Sequence, residues 1–161
     1  MVAGLQTLYI MFQISERILL TLWIGGMWAV GYIVAPTLFA MLADRTLAGS
    51  VAGQLFSVMS YIGMLVAVIL LSGQCYRARA AWRKNWRFWV LLAMLLIIVN
   101  GEFYLQPLMA ELKQAGLREG SEIARQFGQL HGVASVLFVI NSLLGLGLVV
   151  FGLQSSTASA E

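Results

Sequence analysis

With 161 residues, of which 60% are hydrophobic and 11% charged, and a mean hydropathy of +0.85, the chain is far too apolar for a water-soluble domain, which carries roughly a quarter charged residues. The formal charge of +3 is concentrated in one short stretch, so it reads as a membrane-orientation signal and not as the footprint of a nucleic acid.

A hydrocarbon layer about 30 Å thick is crossed by about 20 helical residues. The chain opens on an apolar, charge-poor segment through Ile14. Joined to the apolar stretch that follows, it would make a helix of about 57 Å at 1.5 Å per residue, nearly twice that thickness. Residues 1–15 are therefore expected as an N-terminal interfacial segment with Ser15 capping a new start, or as a prolongation of the helix into the cytoplasm. No positive charge precedes the apolar segment, which argues against a cleaved signal peptide.

The transmembrane domain is placed at 16–153. No charge falls between Arg17 and Asp44, which gives a first span near 18–41. None falls between Arg45 and Arg77, and the second span lies near 55–76. The third, near 88–109, is interrupted by Glu102, and the fourth, near 127–152, holds the single histidine, His131. The run from Val90 to Val99 does not alternate as a barrel strand would, so the expected fold is an all-α integral membrane protein, four helices in an antiparallel bundle. The Ser- and Ala-rich tail 154–161 is expected to be disordered.

The connection between the second and third spans carries Arg77, Arg79, Arg83, Lys84 and Arg87 with no acid, and Trp82, Trp86 and Trp89 sit beside it as interfacial anchors. This places it in the cytoplasm, with both termini on the same side and the protein in a bacterial-type inner membrane.

Ionisable groups inside a bilayer cost a few kcal/mol on insertion scales, so they usually face a cavity or a partner. Glu102 falls about 22 Å from the cytoplasmic boundary and His131 about 6 Å from the outer one, at 1.5 Å per residue. Gln54, Gln106 and Pro36 also lie at outer ends. Glu102 and Gln106 share a helix face, as do His131 and Ser135, with Ser142 returning to nearly the same direction. An outward-opening polar pocket is inferred, with Glu102, His131, Gln106, Gln54 and Ser135 as its candidate residues. A structural lock between the third and fourth helices, a solute or ion site, and plain exposure all fit this pattern.

Gly25, Gly26 and Gly31 in the first span and Gly128 with Gly132 in the fourth provide small surfaces for helix packing, within the chain or in a homodimer. The eight methionines are read as packing residues although thioethers suit Cu(I), and Cys75 as a small buried or interfacial residue. No nucleophile triad, metalloprotease helix, phosphate loop or dinucleotide fingerprint is present, and no cofactor follows from the residues.

Trp23-Ile24-Gly25-Gly26-Met27, Gly31-Tyr32, Val34-Ala35-Pro36-Thr37-Leu38-Phe39, Ala52-Gly53-Gln54-Leu55-Phe56, Gln106-Pro107-Leu108, and the stretch from Phe127 through Leu130-His131-Gly132 to Ser135, with Asn141, resemble the transmembrane-protein-205-like family, a domain of unknown function (4149). The resemblance covers most of 15–152 and implies a four-helix membrane protein without a settled activity. The first span is more distantly similar to CopD-like copper-resistance proteins and HemJ-type haem-dependent oxidases, which implies copper handling or protoporphyrinogen oxidation. The first three spans contain no histidine, so His131 is the one residue suited to such ligation, and a haem would need a second ligand. Three functions stand from this reading: handling of, or resistance to, an ion or small solute; an accessory or assembly subunit of a larger membrane complex; and a haem or copper redox protein.

Overall fold

The computed structural model describes residues 2–78, 84–117 and 120–152. Arg79, Trp82 and Arg83 of the basic connection and the tail 154–161 lie outside the described residues. Among the described residues the regular structure is helical: α1 Val2–Trp28, a π-helical turn π1 Ala29–Val34, α2 Ala35–Met41, α3 Arg45–Ala78, α4 Trp86–Asn100, a second π-helical turn π2 Gly101–Leu105, α5 Gln106–Gln114 and α6 Glu122–Gly152. Four continuous stretches, Ile10–Met41, Arg45–Tyr76, Trp86–Gln114 and Glu122–Phe151, are long and apolar enough to cross a membrane.

Helix starts and ends are set by polar residues in the connections. Asp44 Oδ1 accepts from Thr46 N (2.8 Å) and Leu47 N (3.2 Å) at the head of α3, and Ser121 Oγ accepts from Ala124 N (3.1 Å) at the head of α6. Each satisfies main-chain donors that the first turn leaves free. Asn85 Oδ1 accepts from Arg87 N (3.1 Å) at the head of α4, while its Nδ2 donates to Oε1 of the buried Gln74 (3.3 Å), tying the end of α3 to the start of α4. Gly116, at φ 91°, leaves α5 in the left-handed conformation that costs glycine least.

Ser15 starts no helix. α1 runs through it unbroken, and Ser15 Oγ donates to Met11 O at 3.0 Å, the back-bonding of a mid-helix serine and not a cap. Residues 2–14 hold no proline, and Phe12 finds a neighbour: a Cβ added to Gly73 of α3 would sit 3.0 Å from Phe12 Cζ. That contact sets Phe12 against α3.

The four spans meet in one apolar core, with Trp23 and Ile24 of α1, Ala67 of α3, Met94 of α4 and Leu148 of α6 at its centre. Close approaches fall on glycines. A Cβ at Gly26 would meet Met59, one at Gly63 would meet Trp23 and Ile98, one at Gly31 would meet Phe138, and one at Gly145 would meet Ile24 and Met94. Along α1 and α6 the contacts pair Gly31 with Phe138, Met27 with Asn141 and Ile24 with Gly145, so numbers fall along one helix as they rise along the other.

For the remaining packing glycines, contact within the chain is not found among the described residues. A Cβ at Gly25, Gly128 or Gly132 would meet nothing within 4 Å, so these three open outward. Gly63 and Gly145, which the sequence reading passed over, take their place. G-x-x-x-G spacing marks a small helix face but carries no information on which way that face points.

Candidate functional site

Both π-helical turns stand directly before a proline, and the cause is local. Proline has no N–H, so Pro36 cannot donate to the carbonyl of Tyr32, nor Pro107 to that of Phe103. The preceding turn widens: Ala35 N bonds to Val30 O and Gln106 N to Gly101 O, each one residue further back than in an α-helix. Thr37 Oγ1 donates to Ile33 O at 2.6 Å, a side-chain hydroxyl supplementing the disturbed ladder. The first and third spans thus carry the same defect, one holding Tyr32 and the other Glu102.

The fourth span is the common wall. α1 packs against α6, and so do α4, π2 and α5. From π1 onward, however, the main chain of the first span lies close to α3, as does α2. The distance to α6 is bridged by long side chains: Phe138 reaches Gly31, and Tyr32 Oη donates to Ser142 Oγ at 3.1 Å. Rings cluster there, with Tyr32 and Phe138 centroids 5.6 Å apart, Phe56 and Phe138 5.4 Å apart, and Trp28 edge-on to Tyr32 at 5.5 Å.

This divergence sorts the polar face of α6 by depth. Ser142, covered by Tyr32, is fully buried, and its neighbour Asn141 is 3% exposed. Ser135 and His131, on nearly the same face but nearer the start of α6, are exposed. Ser135 Oγ donates to His131 O at 2.8 Å, and the His131 imidazole stacks on Phe127 at 6.0 Å with 10° between planes. Lys113 Nζ lies 5.6 Å from the Phe127 centroid, closing a short ladder of cation, ring and imidazole between α5 and α6.

Glu102 and Gln106 are half-buried, Gln54 exposed. Direct pairing of Glu102 with His131 is not formed: among the described residues no hydrogen bond or ion pair joins them. His131 is exposed and stacks on Phe127, so its nearest tie to the third span is Lys113 of α5 over the same ring and not Glu102. Cys75 is exposed, which sets aside the buried alternative and not the interfacial one. No group of three His, Cys, Asp or Glu that would hold a metal ion occurs among the described residues.

A buried node absent from the predicted site lies further along α6, at Asn141 and Ser142. Asn141 Nδ2 donates to Met27 Sδ at 3.5 Å, a weak acceptor, while Asn141 Oδ1 is buried without a hydrogen-bond partner among the described residues. The signal for it was present as two adjacent polar residues, Asn141-Ser142, in the middle of an otherwise apolar span.

These features define a four-span integral membrane protein with a polar seam along its fourth helix, flanked by two proline-widened turns. The chain belongs to the family described as Domain of unknown function (DUF4149), whose model matches residues 18–118. No curated protein and no solved structure matches it. The stretch from Phe127 to Ser135, which carries part of the resemblance to transmembrane-protein-205-like proteins, lies beyond the matched residues.

Proposed function

We propose that the protein handles a small ion or polar solute at the seam between its two π-helical turns and the fourth helix. One observation carries this reading. Irregular backbone at membrane depth is tolerated where it is covered by protein or lines a polar cavity, and here π2, bearing a half-buried Glu102, packs against α6 while π1 reaches the same helix through Tyr32 and Phe138. The outer end of the seam is open at Ser135 and His131, as a route of entry requires. The basic connection after α3 supports an antiparallel four-helix arrangement with both termini in the cytoplasm of an inner-membrane protein, and the open end then faces outward.

The test is flux through vesicles containing the full chain. Na⁺ and K⁺ entry are followed with trapped indicator dyes and glycerol entry by light scattering. At least one of the three is expected to cross faster than into protein-free vesicles, and Glu102→Gln is expected to slow it about tenfold without loss of helix content. Equal rates with and without protein would contradict the proposal.

A second reading, association with another copy or another membrane protein, is favoured by a separate observation: Gly128 and Gly132 present a surface on α6 that none of the described residues covers. Under this reading Gly132→Leu lowers the mass of the complex purified in mild detergent. An unchanged mass would argue against it.

A further inference from the structure

The node at Asn141 carries an inference that rests on the proposed handling of an ion or solute and names its ligand. A buried amide oxygen with no partner forfeits the hydrogen bonds it had in water, a loss of about 1–3 kcal/mol that native folds rarely leave uncompensated. Asn141 is 3% exposed and its Nδ2 is directed at Met27 Sδ, which turns Oδ1 away from the thioether. Rotating the amide would leave an N–H unmatched and face two electron-rich atoms toward each other, so the orientation shown is the favourable one.

Next to it on α6, Ser142 Oγ receives the Tyr32 hydroxyl hydrogen at 3.1 Å, so two hydroxyl oxygens lie in the same seam between the first and fourth spans. Tyr32 itself sits in π1, and its own carbonyl is the one to which Pro36 cannot donate. Oxygen donors therefore accumulate here from a side-chain amide and two hydroxyls. None of these groups carries a charge.

We propose that this seam binds one monovalent alkali cation, with Asn141 Oδ1 as the anchoring ligand and the Ser142 and Tyr32 hydroxyl oxygens beside it. Neutral oxygens suit a singly charged hard cation. A dication would need carboxylates to offset the cost of leaving water, and a soft metal would seek more than the single Met27 thioether. Widened or broken helices that present amide, hydroxyl and carbonyl oxygens are the usual way a membrane interior replaces the hydration shell of such an ion.

The purified full-length chain is melted in detergent at constant ionic strength, with NaCl or KCl replacing choline chloride. The midpoint is expected to rise saturably with one alkali cation by a few degrees over choline. Asn141→Leu, close in size and without the oxygen, is expected to keep its helix content and lose that rise; Ser142→Ala is expected to raise the half-saturating concentration about tenfold. Should Asn141→Leu fail to fold, Ser142→Ala carries the comparison alone. Equal wild-type midpoints in all three salts, which leaves a buried water as the partner of Asn141, would overturn the proposal, as would an undiminished rise in Asn141→Leu or an unchanged half-saturating concentration in Ser142→Ala. Vesicle flux without a salt-specific shift sinks this site and leaves solute handling standing; a shift without flux does the reverse.

Discussion

Leucine at Gly145 or Gly63 is expected to destabilise the protein by about 1–3 kcal/mol or to prevent its assembly, while leucine at Gly128 leaves its stability unchanged. A Cβ at Gly145 would already fall against Ile24 Cδ1 and 3.3 Å from Met94 Cε. Those side chains are 5% and 0% exposed, so neither has open space to move into. At Gly63 a Cβ would lie 3.0 Å from Trp23 Cε2 and 3.1 Å from Ile98 Cδ1, both also in the core. Branches beyond Cβ must then part α1 from α3, or α6 from α1 and α4. Gly128 meets nothing within 4 Å and lets the larger side chain extend freely. Thermal unfolding of the three variants in one detergent compares them, and equal midpoints for Gly145→Leu and Gly128→Leu would contradict the packing described.

Trp23→Ala is the second large effect. Trp23 is 2% exposed and among the largest fully buried side chains, filling the space that Gly63 leaves between α1 and α3. In a soluble core the change costs about 3–5 kcal/mol. In lipid the transfer from water drops out of the balance, because the separated helices are still in an apolar medium, and the lost dispersion contacts remain. A loss of about 2 kcal/mol is therefore expected. Trp89→Ala removes an indole that is 51% exposed and is expected to cost far less. A Trp89 variant that unfolds before the Trp23 variant would reverse this ordering.

The spans were legible because a bilayer imposes a length and a composition, and charge gaps such as Arg17 to Asp44 report both. Pro36 and Pro107 were visible as well, at corresponding places in the first and third spans. What they do was not: proline removes a donor, but whether the helix answers with a kink, a break or a π-helical turn depends on what packs around it. From that choice follows the divergence of the first span from α6, and with it the different fates of Ser142 and His131. Periodicity put these two residues on one face; burial depends on how far the facing helix stays alongside. The glycines failed in the same way, since Gly25 and Gly26 are identical in chemistry and adjacent in sequence, yet Gly26 faces Met59 and Gly25 faces nothing.

Solvent access to Glu102 tests the central claim, a polar seam reached from the outer face. With Cys75 replaced by Ser, single cysteines are placed at Glu102 and at Phe103, adjacent residues of π2 at nearly equal depth, the first half-buried and the second 59% exposed on the apolar exterior. A thiol reacts as the thiolate, which forms in water and not in lipid. In intact cells a membrane-impermeant maleimide is expected to label Glu102→Cys at least about tenfold faster than Phe103→Cys. Labelling of Phe103→Cys at the same rate or faster, or of neither from outside, would contradict the account.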